Sequence, residues 1–67
     1  MPEDMDSLRQ RILEKYKKAE SEWEAGGDKG IVMGELTEAE QEAKRAGLDD
    51  LAEEINKERQ QLLEEMR

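Results

Sequence analysis

Apolar side chains recur at helical spacing in three stretches of the chain. Met5, Leu8, Ile12, Tyr16, Ala19 and Trp23 step by three or four residues and form one stripe over about five turns. Towards the other end, Leu48, Leu51, Ile55, Leu62 and Met66 repeat the pattern. Ala52 and Leu63 widen that side to an arc of roughly 120°, the width of a helix face that packs against something. Between these stripes, Ala39, Ala43 and Ala46 make a small-residue face that lets another helix approach closely.

The punctuation between the stripes sets the expected boundaries. Helix 1 is expected over about residues 4–25. Glu3, Asp4 and Asp6 place negative charge where the N-terminal dipole favours it, and Ser7 with Gln10 offers an alternative capping box. Gly26 and Gly27 stop this helix. The stretch 26–36 holds four of the five glycines and reads as a glycine-rich loop, with a turn at Asp28-Lys29-Gly30 and with Ile31, Val32 and Leu36 closing over one end of the helices. Thr37 with Glu40 forms the pattern of a capping box, with Leu36 just before the cap, and opens a short helix 2 over about 37–46. Gly47 ends it, Leu48 supplies the apolar contact that follows a glycine cap, and Asp49 or Asp50 caps helix 3 over about 49–66. The turn at Gly47 is short enough to make helices 2 and 3 an antiparallel hairpin.

The fold expected from this pattern is all-α: one domain, a small three-helix bundle of long helix, glycine-rich loop, short helix and long helix, with self-association as a further way to bury its faces. Charge adds a preference about topology. Arg11, Lys15 and Lys18 form a basic column beside the stripe of helix 1, and Asp50, Glu54, Glu58 and Glu65 an acidic column beside that of helix 3. Both columns lie on the same rotational side of their cores, which favours helices 1 and 3 running antiparallel so that the columns meet. Exposed pairs contribute only ~0–1 kcal/mol each, so the preference is weak.

Composition sharpens the picture in one respect. The 67 residues carry a net charge of −8, 45% of them are charged, and there is neither Cys nor His. A chain this short buries only about 60% of its unfolded surface, and without thiols or imidazoles neither disulfides nor a His/Cys metal site reinforce it. Seven Leu, three Ile, one Val and no Phe put the composition near the boundary of disorder. The helical periodicity opposes that reading, because the few apolar residues are gathered on faces.

Chemistry is sparse. Ser7, Ser21 and Thr37 have no His to activate them, and the carboxylates fall on expected exposed faces or helix ends, so no enzyme activity, cofactor or metal is expected. Gly26-Gly27-Asp28-Lys29-Gly30 matches neither phosphate-binding glycine pattern. The strong negative charge disfavours nucleic acid, and no apolar run is long enough to span a bilayer, so a cytoplasmic or otherwise soluble intracellular location is expected. Tyr16 and Trp23, the only aromatics, and the carboxylates Asp50, Glu54 and Glu58 are the candidate partner contacts; core packing for the aromatics and a solvated face for the acids are the plainer readings. Three functions fit these features. The first is a non-enzymatic protein–protein interaction or regulatory module with an apolar helix face and an acidic rim. The second is an engineered miniprotein without evolved activity, which fits the interleaved charge and the absence of His, Cys and Phe. The third is an acidic DNA mimic that inhibits a basic protein.

Overall fold

The computed structural model describes residues 4–66, which form three α-helices: α1 Met5–Glu24, α2 Lys29–Arg45 and α3 Asp49–Glu65. No strand occurs among the described residues, and the all-α three-helix bundle expected from the periodicity is the fold. Asp4 caps α1, its carboxylate accepting from the Asp6 N–H at 3.4 Å. The charge assigned to Glu3 lies outside the described residues.

The second helix departs most from expectation. Residues 26–36 are not a loop: α2 begins at Lys29, and its cap is Asp28, whose carboxylate accepts from the Ile31 N–H at 3.2 Å. Burial explains the difference. Val32 and Leu36 are wholly buried and extend the stripe of Ala39 and Ala43 backwards at helical spacing. A glycine inside a helix costs about 1 kcal/mol relative to alanine, whereas each large apolar side chain taken out of water contributes about 1.5–3 kcal/mol. The two buried side chains therefore outweigh Gly30 and Gly34. Thr37 is then mid-helix rather than a cap, and its hydroxyl donates to the Met33 carbonyl one turn back at 2.9 Å.

Both connections are built alike. Gly26 and Gly47 take the left-handed conformation, with φ of +84° and +78°. The Gly27 N–H donates to Glu22 at 2.7 Å and Gly26 to Trp23 at 3.1 Å; the Leu48 N–H donates to Ala43 at 2.8 Å and Gly47 to Lys44 at 3.0 Å. These paired bonds satisfy the last carbonyls of α1 and α2. Leu48 is buried, as a residue following such a turn should be. It is also the residue that precedes α3 and makes no side-chain cap, so Asp49 and Asp50 lie inside the first turn and act on the dipole instead of capping.

Connections of three and four residues fold successive helices back on each other. α1 and α3 consequently run parallel, which corrects the antiparallel preference drawn from the charge columns. Lys15 of that basic column is taken by Glu42 of α2, Nζ to Oε1 at 2.9 Å, rather than by the acids of α3. α2 packs against both neighbours, while α1 and α3 touch only marginally.

The core sits along α2: Ile12 and Ala19 from α1, Val32, Leu36, Ala39 and Ala43 from α2, and Leu51, Ala52, Ile55 and Leu62 from α3. Tyr16, Trp23, Leu8 and the unforeseen Leu13 are half-buried against it. Met5, Leu63 and Met66, expected on the stripes, are exposed. Leu8 already lies level with Ala46 at the end of α2, which leaves Met5 beyond the bundle. Leu63 is turned a further 100° from Leu62, out of the packed arc. Arg59 fills the core-facing position on α3 between Ile55 and Leu62, and meets a buried Glu40 on α2.

Candidate functional site

At 100° per residue, Tyr16, Glu20 and Glu24 share one flank of α1, and Glu54, Glu58 and Glu65 share one flank of α3. The parallel arrangement turns these flanks towards each other on the face of the bundle away from α2. Tyr16 and Glu58 are half-buried there. Burial, then the charges of Glu58, Glu20 and Glu54, push the Tyr16 phenol up to about 12. Burial, followed by repulsion from Glu20, Glu65 and Glu24, likewise raises the Glu58 carboxyl above its ordinary value. The interactions between the two helices step in the same direction along both, Tyr16 with Glu54 and Glu58, then Glu20 and Glu24 with Glu58, as parallel helices require. No ion pair joins Glu20, Glu24, Glu54, Glu58 or Glu65 to a cation among the described residues.

Of the residues singled out from the sequence, the fold brings Tyr16, Glu54 and Glu58 together. Trp23 lies two turns further along α1, where the Lys29 ammonium sits 5.5 Å from its ring centroid in a cation–π contact that braces the first turn. Asp50 is exposed in the first turn of α3, rotated outward from Glu58, and does not act on Tyr16. Glu20 and Glu24 were not among the candidates. Their spacing from Tyr16, one and two turns, was available in the sequence, but the antiparallel arrangement set a basic column opposite the acids of α3.

That basic column lies on the other flank of α1. Leu8, Arg11, Lys15, Glu42, Arg45 and Ala46 line a depression of about 350 Å³ between α1 and α2. The hydrogen bond from Lys15 to Glu42 raises the ammonium above its ordinary value. Arg11, Lys15 and Arg45 thus gather on the α1–α2 side, away from the carboxylates around Tyr16 and Glu58.

Among the described residues no three Asp or Glu side chains are placed to hold a metal ion, and no helix is long and apolar enough to cross a membrane. No protein-family model, curated protein or solved structure matches the chain.

Proposed function

We propose that this protein is a non-enzymatic interaction module whose acidic α1–α3 face receives a basic, amphipathic helix from a protein partner. The observation that carries the reading is the convergence of Glu20 and Glu24 with Glu54, Glu58 and Glu65 about the half-buried Tyr16 and Glu58, none of these acids being in an ion pair among the described residues. Like charges gathered on one face oppose folding, and a partner's Lys and Arg side chains would relieve them while its apolar face covers Tyr16. A helix laid there contacts both α1 and α3, which otherwise touch only marginally. Catalysis fits this face poorly: the chain has no imidazole or thiol, and the Tyr16 phenol is held protonated far above neutral pH.

The test is a calorimetric titration at pH 7.5 with a Leu/Lys amphipathic helical peptide, for the parent and for Glu58→Lys and Glu53→Lys. Both substitutions change the charge equally, but Glu53 lies on the exposed side of α3 beside Lys57. Binding that weakens at least about tenfold for Glu58→Lys and little for Glu53→Lys supports this face. Equal loss for both, or no binding by the parent, contradicts it.

An engineered miniprotein is the second reading, favoured by the two connections, which repeat the same glycine-capped hydrogen-bond pattern ahead of a helix. A melting point above about 90 °C for the monomer supports that origin.

A further inference from the structure

On the other flank of α1, the depression between α1 and α2 has a chemistry of its own. Leu8 and Ala46 are its apolar lining, and both are only half-buried against the core, so the bundle leaves part of each uncovered. Met5, one turn before Leu8 on the same face of α1, is exposed and continues the apolar strip. The rest of the lining is three cations, Arg11, Lys15 and Arg45, against one carboxylate, Glu42. That carboxylate is taken by the Lys15 ammonium at 2.9 Å, a bond that uses one of its three donors. Glu38, one turn from Glu42 along α2, also acts on Lys15. The Arg45 guanidinium makes no ion pair or hydrogen bond among the described residues. The depression between α2 and α3 is the reverse case: Glu40, Asp49 and Glu53 face one cation, Lys44, and Ala52 is its one apolar side chain.

We propose that the α1–α2 depression binds a small single-chain amphiphile with an anionic head, of the fatty-carboxylate kind, with its carboxylate on Arg45 and its alkyl tail over Ala46 and Leu8. A guanidinium offers two parallel N–H donors that match the two oxygens of a carboxylate, and the Lys15 ammonium has donors left to add to them. The tail takes the uncovered surface of Leu8 and Ala46 out of water, beside the methylene stems of the cations around it. A volume of about 350 Å³ lies at the small end of ligand pockets, which run to about 300–1,000 Å³, and suits one alkyl chain rather than a folded partner. The charge of the whole chain selects the source of the head. At −8 the protein is repelled by nucleic acids and by anionic bilayers, so the ligand is a free monoanion and not a headgroup in a membrane. The site shares no residue with the acidic α1–α3 face and does not rest on the function proposed for that face.

The test is a titration of the isotope-labelled protein with sodium decanoate at pH 7.5, below its micelle concentration, read by the amide chemical shifts. Saturable shifts centred on Leu8, Lys15, Glu42, Arg45 and Ala46 are expected, with a Kd of about 1 mM or tighter. Decylammonium chloride, which has the same tail and the opposite charge, should leave those amides in place. Arg45→Gln should weaken decanoate binding at least about fivefold, and Lys57→Gln, the same change of charge on the exposed side of α3, less than about twofold. Both positions are exposed, and an unchanged helical circular dichroism verifies that both variants are folded. Decanoate shifts centred elsewhere, no saturation, equal weakening by the two variants or the same shifts with decylammonium would each overturn the proposal. So would flotation of the protein with phosphatidylglycerol vesicles in the absence of decanoate binding, which would assign the anionic head to a membrane.

Discussion

Arg59 of α3 crosses to Glu40 of α2, its Nη1 2.7 Å from the carboxylate Oε1, at a level of the bundle where both helices otherwise present apolar side chains to each other. The same guanidinium donates to Thr37 Oγ1 at 3.3 Å and to Asn56 Oδ1 at 2.7 Å, while Lys44 holds the other Glu40 oxygen at 3.1 Å. Glu40 is 7% exposed, so its charge has left most of its water and depends on these partners. Its Oε1 is approached by Arg59 but not along a well-aligned N–H, which makes the pair more Coulombic than hydrogen-bonded.

Removing Arg59 should therefore cost more than the pair contributes. Arg59→Ala is expected to lower stability by about 2–3 kcal/mol, below the usual cost for a broken buried pair because Lys44 remains. Glu40→Leu with Arg59→Leu should fall within about 1 kcal/mol of the parent, since an apolar pair of similar volume replaces the ions without their desolvation. Urea melts of the two variants decide this. A double variant as unstable as the single one would mean that the ion pair itself holds α2 to α3.

Gly34 tests where α2 begins. It is exposed, and a Cβ added there meets nothing within 4 Å. Gly34→Ala should stabilise the protein by about 1 kcal/mol, the difference between glycine and alanine inside a helix. Gly47→Ala should do the opposite, by about 1 kcal/mol or more, because its φ of +78° strains any side chain. If Gly34→Ala had no effect or destabilised the chain, the helix would not extend back to Lys29.

The raised groups of the acidic face give stability a defined pH dependence. A carboxyl raised on folding is penalised while ionised, so the Glu58 penalty is present at neutral pH and vanishes as pH falls below the unfolded value. Glu58→Gln should raise the urea midpoint at pH 7 and leave it nearly unchanged at pH 4. Tyr16 behaves likewise at the alkaline end: the unfolded phenol ionises near 10 and the folded one near 12, so the fold loses stability as pH rises through that interval. Ultraviolet titration of this sole tyrosine should give a midpoint well above 10 while the helical signal persists. A midpoint at 10 in the folded chain would place the phenol in water.

Much of this fold was legible in the sequence, and the failures share a cause. The inner parts of the α1 and α3 stripes, from Leu8 to Trp23 and from Leu48 to Leu62, and the glycine stops at Gly26 and Gly47 rest on local rules that tertiary structure left intact. The start of α2 was misread because Thr37 and Glu40 imitate a cap, while Asp28 with Val32 and Leu36 carried the weaker-looking but correct signal. In the sequence Glu40 reads as the partner of Thr37 in a helix cap and Arg59 carries no signal of its own, because pattern assigns ions to solvent unless a partner on another helix is known. The same gap hid the acidic face: Tyr16, Glu54 and Glu58 were candidates, but Glu20 and Glu24 gained meaning only once the short turns made α1 and α3 parallel.

Parallel α1 and α3 underlie the acidic face and the function proposed for it, and one distance comparison by pulsed dipolar spectroscopy at pH 7.5 tests them most directly. Two doubly spin-labelled proteins are needed, one with Ser21→Cys and Gln61→Cys, the other with Ser7→Cys and Gln61→Cys. Ser7 and Ser21 lie near opposite ends of α1, about 20 Å apart at 1.5 Å per residue. Parallel helices place Gln61 level with Ser21, so the first pair should be the shorter by a wide margin. If the Ser7 pair proves the shorter, α1 and α3 are antiparallel, the acids of α3 face the basic residues of α1, and the acidic face does not exist.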